Sequence, residues 1–197
     1  MYPTARGLLP RLAEPFAKRA RARRHRHFLE LIDPSAQMRI VDVGCGGLGL
    51  LGLAPELDVT GVDLIGRVGY PGKFVVADAA VGLPFADAEF DLAYCNSVIE
   101  HVERLQRPAF AAELRRVARG WYVQTPARSF PIEPHSLLPG AQWLPSSLRR
   151  QYWRLGAQGV WEDVPLLGRG EFEALFGPAR RERFGPFTKS WISARRP

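Results

Sequence analysis

The sequence predicts an α/β protein built on a doubly wound, mostly parallel sheet of seven strands, with an antiparallel pair at its end and helices on both faces. Three observations predict it. A glycine-rich turn follows an apolar strand near residue 40, short apolar strands alternate with helical segments as far as residue 125, and two more strand-like runs close the chain. At 197 residues the chain suits one domain.

Residues 1–37 are expected to form a basic helical segment, with Phe28-Leu29-Glu30-Leu31-Ile32 packing as its last turns before the first strand. In that strand Ile40, Val41 and Val43 read as buried, with Asp42 among them, and Gly44, Gly46 and Gly47 form the turn that follows. The apolar run Leu50–Ala54 is expected to open a helix. Val59–Val62 forms a second strand ending in Asp63, Lys73–Ala77 a third ending in Asp78, and Phe90–Cys95 a fourth running into Asn96-Ser97. A helix near 104–118 places Phe110, Leu114 and Val117 on one face. Trp121–Gln124 is the fifth strand. Residues 126–170 are rich in proline and aromatic side chains, and a segment of that length beyond a strand edge reads as a lid or pocket wall, or as a small satellite core. Residues 171–197 supply a helix and two strands, 181–185 and 189–194, joined at Gly185-Pro186.

Polar residues at successive strand ends point to a ligand, because open parallel sheets bind at the carboxyl edge of their strands. An acid about 20 positions beyond a glycine turn is the usual partner of ribose hydroxyls, and Asp63 lies 21 residues after Asp42.

Composition bounds the remaining classes. No apolar run approaches the roughly 20 residues needed to span a bilayer, and no secretory signal is evident, so a cytoplasmic protein is the expectation. Two cysteines, Cys45 and Cys95, give neither a disulfide framework nor a zinc pattern, and no metal is expected from them; as neighbours at the sheet edge they would be small buried residues or a redox pair. The net charge of +7 is concentrated in the first 30 residues, which hold eight Lys/Arg against Glu14 and Glu30. The run Lys18–Arg26 suits a solvated helix face in an arginine-rich chain, or contact with a membrane surface, a nucleic acid or an anionic substrate.

The motifs Val41-Asp42-Val43-Gly44-Cys45-Gly46, Gly61-Val62-Asp63, Ala77-Asp78, Leu83-Pro84-Phe85-Ala86-Asp87, Phe90-Asp91 and Asn96–Val102 together resemble the class I S-adenosylmethionine-dependent methyltransferases of the type 11 kind. Gln124-Thr125-Pro126 through Phe130–His135 resembles a bacterial small-molecule branch of that family. The resemblance implies a Rossmann-like fold with 38–125 as the cofactor-binding core, S-adenosylmethionine as cofactor and methyl transfer to a small molecule, O-methylation slightly favoured. It implies that Gly44, Cys45, Gly46 and Gly47 approach the methionine moiety, that Asp42 braces the turn or meets the amino group, and that Asp63 with Leu64 binds ribose. It further implies that Asp78 and Ala79 meet adenine and that Asn96 and Ser97 lie near the sulfonium. The chain departs from the family's acid-x-Gly-x-Gly-x-Gly pattern at Leu48, which is flanked by Gly47 and Gly49.

An acceptor that must lose a proton needs a base, and an imidazole titrating near pH 6.5 suits that task. His135 is the candidate, with Glu133 orienting it, whereas His101 is expected to pack behind the cofactor loop. An RNA methyltransferase and a non-catalytic binding module are the alternatives. A nicotinamide-dependent oxidoreductase would share the glycine turn and Asp63 but leaves Asp78 and Asn96–Val102 without a role.

Overall fold

The computed structural model describes residues 8–66, 69–156, 161 and 163–197. Its centre is a seven-stranded sheet: β1 (Arg39–Val43), β2 (Asp58–Asp63), β3 (Lys73–Val76), β4 (Phe90–Asn96), β5 (Ala118–Pro126), β6 (Arg180–Phe184) and β7 (Phe187–Arg195). The strand order is β3-β2-β1-β4-β5-β7-β6. The first five strands are parallel, and β7 runs antiparallel between β5 and β6. The order reverses direction between β1 and β4, the switch point at whose carboxyl edge open α/β sheets bind their ligands. The glycine turn leaves β1 at that point, and Asn96-Ser97 leaves β4 beside it.

Alternating side chains divide the core between the two faces. Val41, Val43, Ala93, Cys95 and Val123 pack under α2 (Arg107–Val117) and α4 (Arg169–Phe176), which contribute Phe110, Leu114, Phe172 and Phe176. Ile40, Leu92, Tyr94, Tyr122 and Ile192 face the other way, toward Phe28 and Ile32 of α1 (Leu8–Ile32). The Tyr94 and Tyr122 rings stack at 5.5 Å with 5° between their planes, and the Phe28 ring meets both edge-on at 5.2 and 5.4 Å. This three-ring contact is the geometry aromatic quadrupoles favour, and it fixes the end of the basic helix on the sheet.

Three expectations are corrected. The run after the glycine turn forms only a 3-10 turn, Gly49–Gly52, because Gly49 and Gly52 favour the helix poorly and Pro55 follows at once. Turns and irregular chain also join β3 to β4, and among the described residues the α-helix connecting two parallel strands is α2. The fifth strand begins at Ala118, whose extended backbone (φ −137°, ψ 150°) ends α2 directly into β5. Between β5 and α4 the chain makes a 3-10 turn (Ala141–Trp143) and α3 (Ser146–Trp153). Here Leu138, Ala141, Trp153, Val164 and Leu166 are buried, the Trp153 ring meets Trp161 edge-on at 5.1 Å, and Leu167 joins the core under α2 and α4. Of the basic run, Arg19, Arg23 and Arg26 border a shallow groove along α1 with His27 and Glu30, and the Lys18 side chain lies outside the described residues.

Candidate functional site

The glycine turn is built on two carboxylates. Asp42 is buried and its Oδ2 accepts from the Leu50 amide at 2.6 Å, drawing the 3-10 turn back onto the end of β1. Asp63 Oδ2 accepts from the Gly46 amide at 2.9 Å, and Gly44 donates to the Val62 carbonyl at 2.7 Å, so the turn is tied to the end of β2. Burial pushes the Asp42 carboxyl up to about 7; the Leu50 amide opposes this and the nearby Asp63 charge adds to it.

The register of the turn accounts for Leu48. Gly44, Gly46 and Gly49 have left-handed backbones (φ +76°, +60° and +52°), whereas Leu48 is exposed. The third special glycine therefore comes one residue later than the family pattern places it. A Cβ on Gly49 would stand 2.2 Å from Asp42 Oδ2, which is the close approach that requires glycine there. Gly44 is equally restricted: a Cβ would lie 2.3 Å from Val98 Cγ2. Around Gly46 nothing stands within 4 Å. Gly44→Ala is accordingly expected to destabilise by about 2–4 kcal/mol, combining left-handed strain with overpacking, and Gly46→Ala by about 1 kcal/mol. Urea unfolding of the two variants checks this, and equal losses would refute the role given to Val98.

Further strand ends stand along the same edge. Asp78 Oδ1 accepts from the Ala80 amide at 2.8 Å, with Ala79 buried beside it. Leu64 is exposed past the end of β2. Asn96 Oδ1 is buried without a hydrogen-bond partner among the described residues. Ser97 adopts a left-handed backbone (φ +58°) and donates its amide to the Gln124 carbonyl at 2.8 Å. Cys45 and Cys95 are buried at this edge, and no disulfide joins them.

A second cluster lies beyond β4 and β5. Glu133 and His135 are both buried, and Glu133 Oε1 stands 2.7 Å from His135 Nδ1. Glu133 Oε2 accepts from the His135 amide at 2.9 Å, the Ser136 amide at 2.5 Å and the Ser136 hydroxyl at 2.7 Å. Burial would raise the Glu133 carboxyl, but these donors outweigh it and hold the group below the usual carboxylate range. An ionised Glu133 fixes the tautomer of His135: Nδ1 carries the proton and Nε2 the lone pair.

His135 Nε2 faces His101 Nε2 at 3.3 Å, with the rings nearly perpendicular at 85°. This corrects the expectation for His101, which leaves the turn after β4 toward the segment following β5 instead of packing behind the glycine loop. Glu100, fully buried, completes the group: its Oε2 accepts from Thr125 Oγ1 at 2.9 Å, while Oε1 has no hydrogen-bond partner among the described residues. Burial raises the Glu100 carboxyl, against the opposing influence of His101, His135 and Thr125. Glu100, Thr125 and Ser136 were not singled out from sequence; a Glu-His pair directly after a strand was the available signal for the first.

Comparisons with known proteins agree with this architecture. Residues 41–120 match the family model described as a methyltransferase domain. No curated protein matches the chain. A solved protein from Pyrococcus horikoshii OT3 superposes with a TM-score of 0.60 at 16% identity, covering 95% of this chain and 89% of its own. A S-adenosylmethionine-dependent methyltransferase from Methanosarcina mazei gives 0.54 at 18% identity, with 82% and 92% covered. One from Aquifex aeolicus gives 0.50 at 14% identity, with 85% and 92% covered. Strand order, the acid-braced glycine turn and the family model matched over residues 41–120 together give the chain the fold of a methyltransferase domain.

Proposed function

We propose that this chain methylates a small-molecule acceptor, at a hydroxyl oxygen. The observation that supports this reading best is His135, an imidazole whose Nδ1 is held at 2.7 Å by Glu133 so that Nε2 bears the lone pair at the carboxyl edge of the sheet. A hydroxyl acceptor must lose a proton, and a preset base at that edge suits it.

The cofactor pocket fits on two observations. Asn96 Oδ1 is a buried acceptor without a partner among the described residues, matched to an amino group, and the space where a Gly46 Cβ would stand is open, so a ligand can approach that backbone. When bound, S-adenosylmethionine supplies a methyl group activated by its sulfonium. Asp63 would exchange part of its hold on the Gly46 amide for ribose hydroxyls, while Asp78 and Ala79 would border the adenine. Gly44 to Gly47 and Asn96-Ser97 would position the methionine moiety, with Asp42 keeping the turn closed from below. His135 Nε2 would take the hydroxyl proton as the oxygen attacks, and the ionised Glu133 would stabilise the imidazolium. Holding donor and acceptor in line is the larger part of the catalysis.

Calorimetric titration with S-adenosylmethionine and S-adenosylhomocysteine tests the cofactor site, with NAD as control. Micromolar binding that Asp63→Ala weakens by more than about tenfold, roughly the worth of one charge-assisted hydrogen bond, is the expected result. Preference for NAD would overturn it. With a hydroxyl acceptor in hand, His135→Ala is expected to lower kcat by about 10²–10⁴ while keeping cofactor affinity, and unchanged turnover would remove His135 as the base.

A further inference from the structure

We infer that Glu100, His101 and His135 form a binding site for a divalent transition-metal cation. One ligand atom from each residue lies within 4.8 Å of the others, and the two imidazole Nε2 atoms stand 3.3 Å apart. A cation bound at about 2.0–2.1 Å in a tetrahedral or octahedral site requires neighbouring donors about 3.0–3.4 Å apart, so the imidazoles already hold that spacing. A carboxylate oxygen of Glu100 lies within 4.8 Å of both.

Three further features belong to a ligand set. Glu100 Oε1 is a fully buried carboxylate oxygen without a hydrogen-bond partner among the described residues, a costly group unless a cation neutralises it. Glu133 receives the proton of His135 Nδ1 at 2.7 Å, which directs the lone pair of Nε2 inward, as the carboxylate behind a metal-bound histidine does. Thr125 Oγ1 occupies Glu100 Oε2 at 2.9 Å and so leaves Oε1 for the cation. Two histidines and one carboxylate favour zinc, manganese or iron over magnesium, which prefers an all-oxygen shell. Three protein ligands leave a position open, and the exposed edge of His101 gives access to it.

The consequence for catalysis rests on the proposed hydroxyl acceptor. With the cation bound, His135 Nε2 would be a ligand, and the base role proposed above would belong to the metal-free chain alone. A cation held by Glu100, His101 and His135 would lower the pKa of an acceptor hydroxyl bound to it, and the proton would leave to solvent. The acceptor class narrows to molecules with an oxygen able to ligate a metal.

The test is binding, separate from methyl transfer. The full chain, stripped with EDTA and dialysed, is titrated with ZnCl2 and with MnCl2 by calorimetry. One equivalent of Zn2+ binding at micromolar affinity or better is expected. His101→Ala, at an exposed position that leaves the core intact, is expected to weaken it by roughly 100-fold, and Glu133→Gln by about 10–100-fold. His27→Ala, on α1 beside Glu30, is expected to leave it unchanged. No Zn2+ binding, or binding untouched by His101→Ala, would overturn the site. Neither result alters the S-adenosylmethionine titration, so failure here is distinguishable from failure of the methyl-transfer reading.

Discussion

Arg107→Leu is expected to lower stability by about 3–5 kcal/mol. Arg107 is among the largest fully buried side chains, 1% exposed, and its guanidinium joins four parts of the chain. Nε donates to the Val102 carbonyl at 3.0 Å, and Nη2 to the Glu100 carbonyl at 3.2 Å and the Pro165 carbonyl at 2.7 Å. Nη1 meets Glu171 Oε1 of α4 at 2.5 Å. A leucine fills part of the volume and satisfies none of these acceptors. Glu171 is partly solvated, which moderates the cost of its lost partner, so the three carbonyls account for most of the effect. For a chain of this length the melting temperature should fall by roughly 10 °C. Urea unfolding at pH 7 measures the change directly, and a loss below about 1 kcal/mol would show that the clamp is not the tie it looks to be. The functional consequence is also specific. Arg107 fixes the turn bearing Glu100 and His101 to the segment that follows the histidine cluster, so this variant should weaken Zn2+ binding even where it remains folded.

The parallel sheet was legible because its strands are short apolar runs between turn residues, and each ends in a residue the sheet cannot bury without reason: Asp63, Asp78, Asn96. The closing pair was legible from Gly185, whose left-handed backbone (φ +57°) turns β6 into β7. Its insertion order was not, since nothing local distinguishes β7 beside β5 from β6 beside β5; the choice follows from Trp191 and Ile192 burying on opposite faces. The helix expected at Leu50–Ala54 failed because apolar content says nothing about length, and Pro55 leaves no room for a second turn. Spacing alone put Asp42, Gly44 and Gly46 at the turn after β1, but not Gly49, the third left-handed glycine. Nor did it place His101. Its contact with His135 spans 34 residues and depends on where Pro131, Pro134 and the left-handed Leu137 send the chain after β5, information that no periodicity holds. Glu133 was accessible from sequence as a neighbour of His135, whereas Ser136, which completes its hydrogen bonds, is an ordinary loop residue until the turn is seen.

Asp42 gives the chain a stability that should fall as the pH rises from about 4 to about 7. The sign follows from the direction of its shift. Burial raises the folded-state value to about 7 from an ordinary 3.8, so across that window the native chain holds a proton that the unfolded chain has released. Stability therefore decreases with pH wherever the native state binds the extra proton, and the penalty is complete above the folded value. Roughly three units at 1.36 kcal/mol each set a scale of about 4 kcal/mol. Asp42→Asn removes this ionisation while its amide oxygen still accepts the Leu50 amide, so the variant should gain on the native chain by about that amount between pH 4 and pH 8. Urea unfolding of both proteins at the two pH values isolates the difference, since the other titrating groups are shared. Parallel pH profiles would mean that Asp42 is ionised in the folded chain throughout. The same proton links stability to the cofactor. A cationic amino group arriving near the turn draws the Asp42 value down, so binding near pH 7 should release a proton from the native chain. Calorimetry of S-adenosylmethionine in buffers of different ionisation enthalpy reads that proton directly, and its disappearance in Asp42→Asn would assign it to this carboxylate, whereas its persistence would place the released proton elsewhere in the site.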